Sequence, residues 1–355
     1  MRIRALAFHA PPVDPEKIDT ISDLILAKSE PAFSASGDLA WTKRIVLPRG
    51  PWARSPDLVA EVYDRATEAG AEYLSIPLSL DQAGGAPALL SVSDAIFVGI
   101  EVRRPRPEFA TKLARLLHSV FEDHGPEALT RIAFGLGGLV ETPYFPSTAS
   151  EREGISLSLL YAGDLRVAAQ TGSWRQLKQR IIEIVNWATE AGRRIAMSSG
   201  IEFLGVDPSV SPWMEESVAA LIESLTEEEF GGPGTYWAIW RLNAILSSLR
   251  DYAPTVGFSE VMLPVAEDDR LKELASRGKL RLRDLVGLST VCVAGVDMVA
   301  LPLFNPPTLA KLMMDALAAA AIKGRPLGLR LILADARPGD WVDLGRFGSV
   351  PVMTP

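Results

Sequence analysis

The feature that most constrains this 355-residue chain is its alternation. Short runs rich in valine, isoleucine and leucine recur along it, and longer amphipathic stretches separate most of them. Ten runs read as strands: residues 2–8, 43–47, 73–77, 95–102, 132–136, 155–161, 194–203, 259–264, 291–301 and 329–333. Strands that are apolar on both faces suit a parallel sheet covered on each side. Helical patterns are clearest over residues 57–69, 108–123, 174–191, 213–225, 235–250 and 309–322. In residues 174–191, Leu177, Ile181, Ile184 and Val185 fall on one face, while Arg175, Gln179 and Glu183 fall off it. Interleaved strands and helices of this kind predict parallel sheet with crossover helices. No Pro/Ser/Gly-rich stretch is long enough to act as a linker between domains, so the expectation is one α/β barrel over residues 1–355. The longest irregular stretch, residues 135–154, holds GLGG, TPYFPS and EREG. A loop that long inside a compact domain is often functional, and Glu141, Tyr144 and Phe145 are candidates for the wall of a pocket.

Charge and cysteine usage narrow the function classes. The formal net charge is −8, which argues against nucleic acid, because phosphate binding needs a basic stripe. The small clusters Arg103, Arg104 and Arg106, and Glu227, Glu228 and Glu229, read as solvated surface. A single cysteine excludes an intrachain disulfide and a metal cage of several thiolates, and it fits a reducing compartment. No apolar run approaches the ~18 residues of a membrane span, and MRIRALAFHAPP reads as a first strand rather than a signal peptide. The expected location is therefore cytoplasmic, with no membrane partner.

Several polar residues stand in apolar surroundings. VCVAGVDMVALP carries the only cysteine, Cys292, and an aspartate, Asp297. Their odd separation puts them on opposite faces of a regular strand. To share a pocket they need a bulge, for which Gly295 is the natural place. Cys292 is either a nucleophile or proton donor, or a small buried hydrophobe. An active thiol needs a nearby cation, helix N-terminus or histidine, and His9, at the end of the first strand, is the candidate partner. A second Gly-Val-Asp, ending in Asp207, echoes the one ending in Asp297: each aspartate is followed five residues later by proline and then by a helix. Burying such a carboxylate costs several kcal/mol unless it is paired or hydrogen-bonded. Each aspartate either does chemistry or accepts local N–H bonds, for which Pro208-Ser209 gives Asp207 the better context. Gly231-Gly232-Pro233-Gly234-Thr235 opens a helix, where Gly234 and Thr235 make either an anion clamp or an ordinary capped turn. It lacks the lysine of a Walker loop.

GVDPSVSP with the following EESV, GGPGT, VGFSEVMLPVAEDDRL, VCVAGVDMVALP and FGSVPVM occur in that order between about residues 201 and 353. In these stretches the chain resembles a family catalogued as domain of unknown function 711; IRALAF and the YFP segment extend the likeness to the N-terminal half. The resemblance implies a ten-stranded α/β barrel similar to that of glycyl-radical enzymes such as pyruvate formate-lyase. In that barrel two five-stranded parallel halves run antiparallel and an inner loop reaches the centre. It implies no reaction. The family pattern has histidine where this chain has Pro233 and glycine where it has Glu260. Arg346-Phe347-Gly348-Ser349 lacks the tyrosine and the spacing of a glycyl-radical motif, so no radical is expected.

Two classes of function follow. The first is an enzyme acting on a small anionic or carbonyl metabolite in the barrel interior. Cys292, Asp297 and Asp207 would be its catalytic groups, and Gly234, Thr235, Ser209, His9 and Glu260 would hold the substrate. The second is a non-catalytic binding or structural barrel, with Trp237 and Trp240 on one helix as a face for homo-oligomers. There is no nicotinamide, flavin or pyridoxal signature, and no metal signature, so cofactor and metal stay open.

Overall fold

The apolar runs become strands wherever both of their faces find cover. In the computed structural model, which describes residues 1–14, 18, 20–103 and 106–355, the strands are β1 (Arg2–His9), β2 (Ala40–Val46), β3 (Tyr73–Ser79), β4 (Ile96–Val102), β5 (Ile132–Leu136), β6 (Gly154–Leu160) and β7 (Phe203–Asp207). Arg104 of the basic cluster lies outside the described residues. Shorter strands follow: β8 (Met262–Pro264), β9 (Ala294–Asp297), β10 (Val299–Pro302), β11 (Leu327–Leu329), β12 (Leu331–Ala334), β13 (Trp341–Asp343) and β14 (Ser349–Pro351).

Eight strands form one mixed, curled sheet in the order β11-β5-β4-β3-β2-β1-β6-β7. β1 to β5 are parallel neighbours, and β6 and β7 are parallel to each other. The two blocks meet antiparallel at β1 and β6, and β11 closes the far side antiparallel to β5. The pairs β8–β9, β10–β12 and β13–β14 are separate two-stranded sheets. This corrects the expected fold: the continuous ladders make an eight-stranded half-barrel, not a closed ten-stranded barrel of the pyruvate formate-lyase kind. The reason is local. The C-terminal strands are only three or four residues long, and the β8–β9 register slips between Met262/Ala294 and Pro264/Asp297. What connects β8–β9 to its neighbours is sparse: bridges Val206–Thr255 and Val210–Val261 on one side, and N–H donation from Gly328 to Val293 O and from Arg330 to Val296 O on the other.

Other boundaries moved for similar reasons. Residues 194–199 belong to the helix Trp174–Ser199. Their apolar residues fit a helical period as well as a strand, with Ile195 buried and Met197 exposed. The run 291–301 breaks at Met298, whose φ is 54°, and 329–333 divides between β11 and β12. The expected helix from 213 begins only at Val218, where Ser217 accepts the Ala220 N–H as its cap.

The concave face of the sheet explains the long loop. Hydrogen-bonded partners on adjacent strands point to the same side. On that side stand Ala5 and Ser158, Ala7 and Ser156, Gly99 and Ala133, and Gly135 and Gly328. These residues are small because residues 137–153 fold back into the curl. A Cβ on Gly99 would stand 2.3 Å from the Pro146 carbonyl oxygen. The loop is anchored along its length. Leu139 N–H donates to Glu101 Oε1 (3.4 Å), Ser150 N–H to Leu47 O (3.0 Å) and Ser150 Oγ to Ala10 O (2.6 Å). From Thr142 to Ser150 every residue except Phe145 is buried.

Candidate functional site

Where this loop stops, a cavity of about 230 Å³ remains. It lies over the N-terminal ends of β1 to β4 and the C-terminal ends of the second block. β1 and β2 supply Arg4, Thr42 and Arg44, and the inner loop supplies Tyr144 to Ser147. The C-terminal half adds Ser211, Trp213, Glu267, Asp297, Arg330 and Arg346. The slipped register at β9 lets Ala294 and Asp297, three residues apart, both reach this wall.

The charged groups form a chain. Arg330 grips Asp297 with two bonds, Nε to Oδ1 at 2.5 Å and Nη2 to Oδ2 at 2.7 Å. The same Nη2 reaches Glu267 Oε1 at 3.2 Å. Arg4 Nη2 meets the other Glu267 oxygen at 2.5 Å, and its Nη1 donates to Ser211 Oγ and Pro212 O, both at 2.9 Å. All four charged residues are buried. Burial pushes Asp297 above the ordinary carboxylate range, against the pull of Arg330. For Glu267 the balance is reversed: burial is overcome by Arg4 and Arg330, which hold it below that range.

Arg44 is different. Its Nε donates to Thr42 Oγ1 (2.9 Å) and its Nη1 to Pro143 O (3.1 Å). Among the described residues no carboxylate pairs with it. Burial, and then the guanidiniums of Arg4 and Arg346, lower its pKa to about 9. Arg346, at the exposed mouth, donates to Tyr73 Oη (2.7 Å) and likewise has no carboxylate partner among the described residues. Glu72 stands exposed on the rim.

Of the candidate catalytic and substrate-holding residues named from sequence, Asp297 alone lines this cavity. Asp207 is buried elsewhere and acts as a structural hub. It accepts from Thr142 Oγ1 and Ser209 Oγ, each at 2.6 Å, and from the N–H groups of Ser209, Phe258 and Ser259 at 3.1 to 3.2 Å. Gly257 must be glycine here: its φ is 74°, and a Cβ would stand 2.0 Å from Asp207 Oδ2. Ser209 in turn accepts the Glu260 N–H. The Glu260 carboxylate is buried between Lys323 and Arg325. Cys292 sits in a bend before β9, in the apolar core, and burial pushes its thiol up to about 12. His9 is fully buried: Nε2 lies 2.7 Å from Ser156 Oγ, Nδ1 has no partner, and burial lowers its pKa to about 3. Gly234 is an exposed cap in the left-handed region and Thr235, the first residue of the helix Thr235–Ser247, is buried, its Oγ1 accepting the Gly231 N–H. Trp237 and Trp240 are half exposed on the following helix, and Trp237 meets Trp174 edge to face.

Arg4, Arg44, Arg330 and Glu267 were not among the site residues expected from sequence, and Arg346 stood out only in the segment compared with a glycyl-radical motif. The signal was present in part. Arg4 and Arg330 each interrupt an apolar run, the same anomaly that drew attention to Asp297, whereas Arg44 follows Thr42 and Lys43 and carries no such mark. Tyr144 and Phe145 do line the cavity, as expected, whereas Glu141 binds the backbone of Glu151 and Arg152 outside it. Among the described residues there is no group of three or more His, Cys, Asp and Glu side chains able to hold a metal, and no helix long and apolar enough to cross a membrane.

The family model Uncharacterised ACR (DUF711) matches residues 164–345, just over half of the chain. A UPF0210 protein of Pyrobaculum arsenaticum is 35% identical over 184 residues, covering 50% of this chain and 41% of that protein. One from Methanopyrus kandleri is 32% identical over 188 residues, with the same coverage of 50% and 41%. One from Sulfurisphaera tokodaii is 29% identical over 245 residues, 64% of this chain and 55% of the relative. The match thus spans about half the length of these curated relatives. The family-model match includes Glu267, Asp297 and Arg330 but stops short of Arg4, Arg44 and Arg346. On this match, the chain is a member of the DUF711 family, to which the UPF0210 proteins belong.

Proposed function

We propose that the cavity binds a small organic anion and that the protein is an enzyme acting on it. The observation that carries the reading is Arg44: a guanidinium lining a half-open cavity, crowded by two others, with no carboxylate in ion-pair contact with it among the described residues. Like charges in a confined site cost free energy that an anionic ligand removes. The cavity is small and lined by aromatic rings with a few convergent polar groups, the ordinary character of a metabolite site.

Turnover is supported by a second observation. Asp297 and Glu267 share Arg330, yet their surroundings move their pKa values in opposite directions. Two carboxyl groups separated in this way are a common basis for dividing acid–base work. In this reading Asp297 exchanges a proton with the ligand, and Glu267 stays ionised and fixes Arg4 and Arg330. Cys292 takes no role in it, because burial suppresses its thiolate.

The test is retention of metabolites. Wild type and Arg44→Gln, purified in parallel, are incubated with a small-molecule extract, washed and examined by native mass spectrometry. The expected result is an anion of low mass held by wild type and lost from the variant. Equal retention by both, or none by either, would sink the binding reading. Asp297→Asn should keep the anion unchanged where wild type converts it; identical turnover by both would remove Asp297 from the chemistry.

A further inference from the structure

The aromatic rings around the cavity invite the idea that they stack on a planar ligand, but the positions of the cations argue otherwise. Tyr73 has two guanidiniums over its ring: Arg346 Cζ is 4.9 Å from the centroid and Arg44 Cζ is 5.8 Å from it. Arg44 also lies over Phe145 at 5.2 Å, and Arg346 over Phe97 at 5.6 Å. Arg4 lies over Trp213 at 5.5 Å and Tyr144 at 5.9 Å. The rings also contact each other edge on, Tyr73 with Phe97 at 5.5 Å and Phe97 with Phe145 at 5.7 Å. Their faces therefore serve to seat arginines, a role that ring quadrupoles fill well. A flat ligand would have to displace those cations before it could stack.

The charge count sets the rest. Arg4 and Arg330 are neutralised by Glu267 and Asp297. Arg44 and Arg346 are left, two positive charges flanking one tyrosine and paired with no carboxylate among the described residues; Glu72 also lines the cavity but stands solvent-exposed on the rim, where water screens its charge. Resting on the reading of the cavity as an anion site, we infer that the ligand is a compact, non-aromatic dianion, either a short aliphatic dicarboxylate or a phosphate group, with its two negative charges matched to Arg44 and Arg346. A guanidinium offers paired N–H donors to carboxylate and phosphate alike, so both sources share this chemistry. The volume of about 230 Å³ admits only a small molecule of either kind.

The experiment is calorimetric titration at fixed ionic strength, with malonate, succinate, inorganic phosphate, acetate and benzoate as probes. They are run against wild type, Arg44→Gln, Arg44→Lys and Arg346→Gln, each checked for folding by circular dichroism. The dianions should bind at least about tenfold more tightly than acetate or benzoate. Arg346→Gln and Arg44→Gln should each lose that advantage, and Arg44→Lys should recover some of it. Succinate above phosphate identifies two separated acid groups, and phosphate above succinate a single dianionic centre; each supports the inference. If acetate or benzoate binds as tightly as the dianions and Arg44→Gln abolishes it, the cavity is an anion site but not one for dianions, and the inference falls alone. If no probe distinguishes wild type from Arg44→Gln, both fall.

Discussion

The two aspartates that close Gly-Val-Asp have opposite fates. Asp207 is met by two hydroxyls and three backbone N–H groups, all of them donors, and it pins the inner loop and the segment after Gly257 to the end of β7. Asp297 is met by a guanidinium and faces a cavity. The local sequence is the same up to the aspartate, and the residues beyond it decide the outcome. After Asp207, Pro208-Ser209 turns the chain so that Ser209 closes back on the carboxylate. After Asp297, Met298 takes φ 54° and the chain resumes as β10, leaving the carboxylate to an arginine thirty-three residues away. A neutral cradle holds architecture in place; a charged partner at a cavity wall leaves a group that a ligand can address.

That contrast is open to direct attack. Asp207→Ala should have the largest effect, because it strands four buried donors and a fifth that is half-buried; equilibrium denaturation should show a loss of about 4 kcal/mol or more. Asp297→Ala should cost less, about 3 kcal/mol, since Arg330 keeps Glu267 and the Thr130 carbonyl. It should also tighten anion binding in titrations, which Asp207→Ala should not do. A larger penalty at Asp297, or tighter binding from the Asp207 change, would break the comparison.

His9 sharpens it from the side of burial without a charged partner. Its pKa is lowered to about 3 in the folded chain, so the unfolded chain takes up a proton first as the pH drops. The stability is complete above the unfolded value near 6.5 and is lost as pH falls toward 3. Between pH 7 and 5 the loss should be about 2 kcal/mol, and His9→Gln should flatten that slope relative to wild type. An equal slope in both would mean that His9 is protonated in the fold. Smallest of all, Cys292→Ala should cost about 1 kcal/mol and leave ligand retention unchanged. Iodoacetamide should label native Cys292 only as fast as the protein unfolds.

The alternation of elements and the long inner loop could be read from the chain, because they rest on local periodicity and loop length; the opposed direction of two parallel blocks came only from the family resemblance. The division into separate ladders could not, because it depends on strands of three or four residues whose pairing is set by neighbours far away. The site was half legible. Asp297 was found as a charge in an apolar run, and Arg4 and Arg330 obey the same rule, but Arg44, beside Thr42 and Lys43, does not. What sequence does not express is that Arg4 meets Glu267 across 263 positions, or that the carboxylates of Asp207 and Glu260 are held by partners that keep them out of the cavity lining. A buried carboxylate announces itself in sequence; whether its partners are structural or poised for a ligand is decided by contacts distant along the chain.

The small side chains on the concave face have one more consequence. A stretch the length of residues 137–153 without strand or helix is ordinarily where a protease cuts and where amide hydrogens exchange fastest. Here the carbonyls and N–H groups of Thr142 to Ser150 lie inside the curl of the sheet, so that segment is as hard to reach as the strands around it, while Glu151 and Arg152 just after it stay exposed. Limited digestion should spare residues 142–150, and their amides should exchange only when the sheet itself opens. Opening the sheet and dismantling the cavity are then one event, because Tyr144 to Ser147 cannot leave the wall without it.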